Sequence, residues 1–366
     1  MDREELICRF DIEGTPVQCE RYGNGHINDT FLVQCEEAGR VHKYILQKIN
    51  KSIFKEPRML MGNIEMVTDY LRKVIREENG DEQRETLRVV RTKDGKPYYI
   101  DDAGEYWRVY YFIRDAICFE KVEKPEDFYE SAVAFGEFQR KLSGFDASQL
   151  YEVIPDFHNT PKRYQDFMKA MQADRFHRVQ SVSEEITFVI NHKEEMGICQ
   201  KLLEGGKLPL RVTHNDTKLN NILMDANTHK GLCVIDLDTV MPGLSIFDFG
   251  DSIRFGANTA AEDETDLNKV TLNLELFELY VKGFLKGCGG KLTPKEIEML
   301  PYGAKIMTLE CGMRFLTDYL QGDSYFKIHR ENHNLDRCRN QFALVRDMEK
   351  KWDAMEKIVN RYAKEV

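Results

Sequence analysis

The chain has 366 residues and a formal charge of −10, with a pI near 5.5; that length can bury a core large enough for two lobes. The acidic balance argues against nucleic acid as a general partner, because a phosphate backbone calls for a basic surface. Nine cysteines without a C-x-x-C pair read as reduced thiols, the charged start has no signal-like apolar core, and no window approaches about 20 apolar residues, so the expectation is a cytoplasmic monomer with no membrane partner.

The first third reads as strands with one long helix. Residues 17–22 and 31–35 are strand candidates flanking the turn Gly23-Asn24-Gly25, and residues 44–49 are a third. Pro57 opens a segment whose apolar positions Met59, Leu60, Ile64, Val67, Leu71 and Ile75 recur at helical spacing, ending before Asn79-Gly80. Strands follow at 87–90, 97–100 and 107–113. Beyond about Arg114 the pattern turns helical: 128–142, 164–171 and 184–203, then 272–284, 294–320 and 338–362. Between them lies an island of short strands at 210–213, 222–224 and 233–236. The reading is an α+β chain of two lobes: residues 1–112 as a small antiparallel-sheet lobe with one long helix, and 113–366 as a larger, mostly helical lobe. A short hinge near residues 110–115 would join them.

The island carries the chemistry. It reads Thr213-His214-Asn215-Asp216-Thr217-Lys218-Leu219-Asn220-Asn221 and then Val234-Ile235-Asp236-Leu237-Asp238. An Asp, an Asn five residues on, and an Asp closing an apolar run match the kinase pattern H-x-D-x-x-x-x-N with its later metal-binding Asp. Asp216 would accept the proton of an attacking hydroxyl. Asn221 and Asp236 supply the hard oxygens that Mg²⁺ prefers. His214 reads as a brace for the loop. Asp248 reads as a helix N-cap before Ser252, or as a carboxylate holding the loop backbone from below. Asp238 touches metal or substrate, or is simply solvated. The Gly23-Asn24-Gly25-His26 turn would fold backbone amides over nucleotide phosphates. A phosphate-gripping cation belongs on the third strand, Leu46-Gln47-Lys48-Ile49, and adjacent residues there face opposite ways. Either a bulge brings Lys48 inward, or Gln47 acts with another cation. Glu65 on the following helix is the candidate ion-pair partner.

Blocks 22–28, 44–47, 211–225, 247–256 and 310–316 resemble the aminoglycoside phosphotransferase superfamily, small-molecule kinases with a protein-kinase-like bilobal fold. Within it they are most similar to the N-acetylhexosamine 1-kinases. The resemblance implies ATP and Mg²⁺ as cofactors and N-acetylglucosamine or N-acetylgalactosamine as the acceptor, phosphorylated at the anomeric hydroxyl. Gly23, Asn24, Gly25, Gln47 and Lys48 would serve the nucleotide. His26, Asp216, Thr239, Phe255, Arg314 and Tyr325 would line the sugar pocket, with polar groups for the hydroxyls and an apolar wall for the acetyl methyl. The alternatives are another acceptor in the superfamily (choline or ethanolamine, homoserine, an aminoglycoside, methylthioribose) or a nucleotide-binding pseudokinase.

Overall fold

Alternating apolar positions build the first sheet, and the residues between them form its other face. The computed structural model describes residues 2–23, 27–119, 122 and 124–365. The chain divides into two units. The smaller gathers Met1–Ile117 with Ser148–Pro155 and Leu223–Met241, and the larger holds Cys118–Ala147, Asp156–Ile222 and Pro242–Val366.

The smaller unit starts with a short helix, α1 (Arg3–Ile7), which the sequence reading did not expect. Strands β1 (Thr15–Arg21), β2 (Asp29–Glu37) and β3 (Arg40–Lys48) lead to α2 (Pro57–Glu77). Short strands β4 (Val89–Val90) and β5 (Tyr99–Ile100) flank the entry to β6 (Tyr106–Tyr111), and β7 (Ala116–Cys118) closes this part. The antiparallel sheet runs β1-β2-β3-β6-β4, with β5 also on β6. One face presents Phe31, Val33, Tyr44, Leu46, Trp107 and Val109, which pack with Leu6, Ile7 and Phe10 into one core. In α2, Pro57 stands at the first turn, where its missing N–H costs no hydrogen bond. Leu60, Ile64, Val67, Leu71 and Ile75 are buried on one stripe. Asn79 takes a left-handed φ of 59° just past the helix end.

The chain continues through α3 (Pro125–Lys141), α4 (Thr160–Ala173), α5 (Ser183–Asn191) and α6 (Ile198–Glu204). Next come β8 (Arg211–Thr213), β9 (Ile222–Asp225), β10 (Gly231–Val234), β11 (Met241–Gly243) and α7 (Ser245–Gly256). It ends with α8 (Leu274–Cys288), α9 (Pro294–Glu298), α10 (Leu300–Leu320), α11 (His333–Lys350) and α12 (Trp352–Tyr362). Strands β10, β9 and β7 form a three-stranded sheet, and β11 pairs with β8. Three helices expected as continuous are broken. Residues 184–203 divide at the 3₁₀ turn Glu195–Gly197. Residues 294–320 divide at Met299, where Pro301 can donate no helical hydrogen bond to the preceding turn. Residues 338–362 divide at Lys351.

In the larger unit α7 is buried from Ser245 to Arg254 all the way round, so its polar residues need partners inside the protein. Helices α3 and α8 meet through Gly136 and Gly287. A Cβ added at Gly136 would stand 2.9 Å from both the Cys288 nitrogen and the Gly287 Cα. No helix among the described residues is long and apolar enough to cross a membrane.

Candidate active site

The 214–218 loop that follows β8 is held by carboxylates of α7. Asp248 accepts the backbone N–H groups of His214 (2.9 Å) and Asn215 (2.8 Å), and the Gln139 amide donates to it at 2.8 Å. The N-cap reading of Asp248 is therefore replaced: it lies inside α7, one turn after the cap residue Leu244, and braces the loop from below. Asp251 accepts the N–H of Thr217 at 3.0 Å, the Thr217 hydroxyl donates to the Asp248 carbonyl at 2.6 Å, and the Ser252 hydroxyl donates to the Thr217 carbonyl at 2.7 Å. Burial pushes the Asp248 carboxyl above its ordinary value, against the pull of His214 and the two amides. His214 is fully buried, edge-on to Phe135 at 5.6 Å, and its Nδ1 accepts the Asp216 N–H at 3.3 Å. With Asn215 at φ 65°, a conformation Asn tolerates better than most residues, the loop turns sharply just before Asp216.

Asp216 has two close neighbours. Lys218 Nζ lies 2.8 Å from its Oδ1, and the Asn221 amide nitrogen donates to its backbone carbonyl (2.8 Å) and to its Oδ2 (3.1 Å). Among the described residues no donor reaches Asn221 Oδ1, so the amide is oriented by its nitrogen while its oxygen stays open. An amide oxygen left open in this way is a hard donor of the kind a magnesium ion takes, and Asn221 Oδ1 fits that chemistry. Lys218 went unremarked in the sequence. Burial works against its charge, but Asp216 and then Asp251 hold its pKa above the ordinary lysine value. Asp251 in turn takes both the Nε and Nη2 of Arg254, at 3.0 and 2.8 Å.

In the smaller unit Asp236 follows β10 and sits in the left-handed region, φ 56° and ψ 57°, capping the 3₁₀ turn Leu237–Thr239. Thr239 ends that turn and is buried. Val240 accepts from the Asn63 side chain at 2.9 Å, so α2 meets the turn through Asn63. Glu65, the expected partner of a strand cation, pairs instead with Arg91 at 2.5 Å.

The strand-cation question resolves in an unexpected way. β3 pairs with β2 and β6 in unbroken register, setting Gln47 opposite Thr30 and Arg108, and Lys48 opposite Asp29 and Trp107. No bulge turns Lys48 inward; it reaches Glu105 at 3.6 Å. Gln47 shares its face with Arg108, whose Nε donates to Gln47 Oε1 at 2.9 Å. The Arg108 side chain is 1% exposed and ion-pairs with Asp238. Asp238 is thus neither solvated nor open to metal; its second oxygen accepts from Asn28 at 2.6 Å. Gly23 has a left-handed φ of 74° with open space where a Cβ would stand, while Asn24, Gly25 and His26 lie outside the described residues.

Among the acceptor-site candidates of the larger unit, Arg314 and Tyr325 share one neighbourhood. The Arg314 guanidinium lies over the Phe157 ring (5.3 Å) and the Phe326 ring (5.5 Å). No acidic side chain among the described residues comes within ion-pair distance of it. Tyr325 packs edge-on to Phe326 at 4.8 Å and is 61% exposed. Arg163 joins them; burial and then the neighbouring Arg314 push its pKa down. Glu310, whose charge Arg163 and Arg314 sense, is committed elsewhere, to His158 (2.8 Å) and the Thr160 hydroxyl (2.5 Å). His158 Nε2 is buried with no hydrogen-bond partner among the described residues. Phe255, near the end of α7, is 39% exposed, and no ring contact joins it to Arg314 or Tyr325.

A small antiparallel sheet with one long helix, a mostly helical second unit, and this catalytic-loop geometry define a protein-kinase-like phosphotransferase fold. Residues 18–270, more than half of the chain, match the phosphotransferase enzyme family model, and the chain belongs to that family. Solved structures agree on the fold. A microcompartment-associated aminopropanol kinase superposes with TM-score 0.62 at 17% identity, over 97% of this chain and 98% of its own. An aminoglycoside phosphotransferase from Alicyclobacillus acidocaldarius gives 0.61 at 13% identity, over 97% and 95%. A choline kinase from Cryptosporidium parvum gives 0.54 at 14%, over 94% and 92%.

Proposed function

We propose that this chain is an ATP- and Mg²⁺-dependent anomeric kinase. Its acceptor is an N-acetylhexosamine (N-acetylglucosamine or N-acetylgalactosamine), and its product is the α-1-phosphate. The sugar oxygen forms a bond to the γ-phosphorus while the bond to the β,γ-bridging oxygen breaks and ADP leaves. Asp216 receives the hydroxyl proton, and Lys218 and Asn221 fix its carboxylate. An anomeric hydroxyl is more acidic than an ordinary alcohol, so orientation and charge neutralisation carry most of the rate. Asn221 and Asp236 would hold a magnesium ion, which would neutralise charge on the phosphates. Gly23, Asn24, Gly25 and Gln47 are assigned to the nucleotide by the sequence resemblance. His26, Thr239, Phe255, Arg314 and Tyr325 receive the sugar.

The observation that carries the acceptor class is Arg314. An arginine without an ion-pair partner, held between two aromatic rings and next to a second arginine, favours a neutral ligand rich in hydrogen-bond acceptors. The hydroxyl and acetamide oxygens of an N-acetylhexosamine meet that requirement, and His158 Nε2 is a further unpaired polar atom close by. An amino alcohol or a polycationic antibiotic would bring a cation to a place where Arg163 and Arg314 already stand.

The test is an acceptor panel of both N-acetylhexosamines, choline, aminopropanol, homoserine and an aminoglycoside, with ATP and Mg²⁺, read by phosphorus NMR of the product. An anomeric phosphate from the N-acetyl sugars is the expected result. Turnover of choline or aminopropanol, with the sugars inert, would sink the assignment.

A further inference from the structure

Resting on the phosphotransferase reading above, we propose that Arg108 is a positioning residue for the magnesium–nucleotide site. A buried cation stands on β6, directly opposite the β3 position Gln47. There it acts by fixing Asp238, and with it the turn that presents Asp236.

The register is the first support. Gln47 and Arg108 are directly opposite on one face of the sheet, and directly opposed side chains touch. A lysine at position 47 would set a second cation beside the buried Arg108. A glutamine offers its carbonyl oxygen to the Arg108 Nε and its amide to the Thr30 hydroxyl at 3.0 Å. The identity of residue 47 follows from the presence of Arg108.

Asp238 supplies the second support. Both of its oxygens are occupied, one by Arg108 and the other by Asn28, which makes it a strut and leaves Asp236 as the ligand of this turn. Asn28 also accepts the Asn50 N–H at 3.0 Å, so one node joins the start of β2, the residues just after β3, the middle of β6 and the Asp236 turn. Asp236 is in a left-handed conformation that residues with a Cβ keep only where the surroundings hold them there. The guanidinium also senses the charge of Asp236. A planar fork that spans Gln47 and Asp238 together is a task for arginine and not for lysine.

The test reads nucleotide binding, not turnover. Dissociation constants for ADP alone and for Mg²⁺ with ADP are measured by calorimetry on the full chain, on Arg108→Lys, and on the double variant Arg108→Gln with Asp238→Asn. The double variant removes both charges together, which avoids an unpaired buried carboxylate. The expected result is a folded double variant that binds ADP alone much as the unaltered protein does. Its affinity for Mg²⁺ with ADP should be weaker by roughly 10-fold or more, as losing oriented ligand support does at metal sites, with Arg108→Lys in between. A folded double variant that binds Mg²⁺ with ADP at full strength overturns the proposal. If the double variant does not fold, Arg108→Lys decides: equal affinity with and without Mg²⁺, relative to the unaltered chain, overturns it. Failure of the unaltered protein to bind nucleotide at all would overturn the kinase reading, and this proposal with it.

Discussion

Lys218 lies 2.8 Å from Asp216 on the loop between β8 and β9. The ammonium restricts the rotation of the carboxylate, and it also answers to Asp251 in α7. Asp216→Asn keeps the shape of the loop but removes the proposed proton acceptor. Turnover should fall about 10²-fold or more, with acceptor binding within a few-fold of the unaltered protein. Steady-state kinetics beside equilibrium sugar binding check this, and near-normal turnover would remove Asp216 from the role.

Among the described residues no acidic side chain pairs with Arg314, so Arg314→Ala should leave the fold intact. Losing a charged hydrogen-bond donor to the acceptor should lower kcat/KM for the sugar by roughly 10-fold or more. The KM for ATP should stay the same. An equal loss on both substrates would show that the residue supports structure and does not bind the sugar. Melting curves recorded alongside separate the two.

Glu310 sets a pH dependence for stability. Burial alone would push its carboxyl up, but the contacts with His158 and Thr160 outweigh burial and hold it below the ordinary glutamate range. The folded state then binds this proton less readily than the unfolded chain. The contribution is complete above the ordinary glutamate pKa and is lost as pH falls from there through the lower folded value. Glu310→Gln should therefore melt at a lower temperature than the unaltered protein near pH 7, and the gap should narrow as the pH approaches about 3. A gap that stays constant across this range would rule out the charge as its source.

The meeting of α3 and α8 tolerates no side chain at Gly136, where a Cβ would stand 2.9 Å from backbone atoms of α8. Gly136→Ala gains helix propensity but forces the helices apart. It should destabilise the protein by about 1–3 kcal/mol, measured by urea unfolding. A stabilised variant would mean that the contact relaxes at little cost.

The sequence carried the parts of this structure that depend on short-range order. The apolar stripe from Leu60 to Ile75 wrote α2 in advance, and the run from Thr213 to Asn221 marked the loop that α7 braces. What it could not carry were pairings across long separations. Asp238 meets Arg108 from 130 residues away, so Asp238 read locally as solvated or metal-bound. Arg108 stands in the run Tyr106-Trp107-Arg108-Val109-Tyr110-Tyr111; a lone charge inside an apolar strand was the available signal, because burial there demands a partner. Glu65 was placed by analogy with a β3 lysine, and with the cation on β6 it pairs with Arg91. Lys218 was visible but silent, since a lysine in a polar loop is usually solvated.

The carboxylates of α7 have a consequence for time as well as place. The N–H groups of His214, Asn215 and Thr217 all donate to buried side chains of one helix, so these amides meet solvent only when α7 itself opens. In deuterium exchange the segment should keep its protons about as long as the helices around it. A stretch without regular secondary structure would then exchange on the clock of global unfolding, and a chain whose loop exchanged early would have lost its grip on α7 before any helix melted.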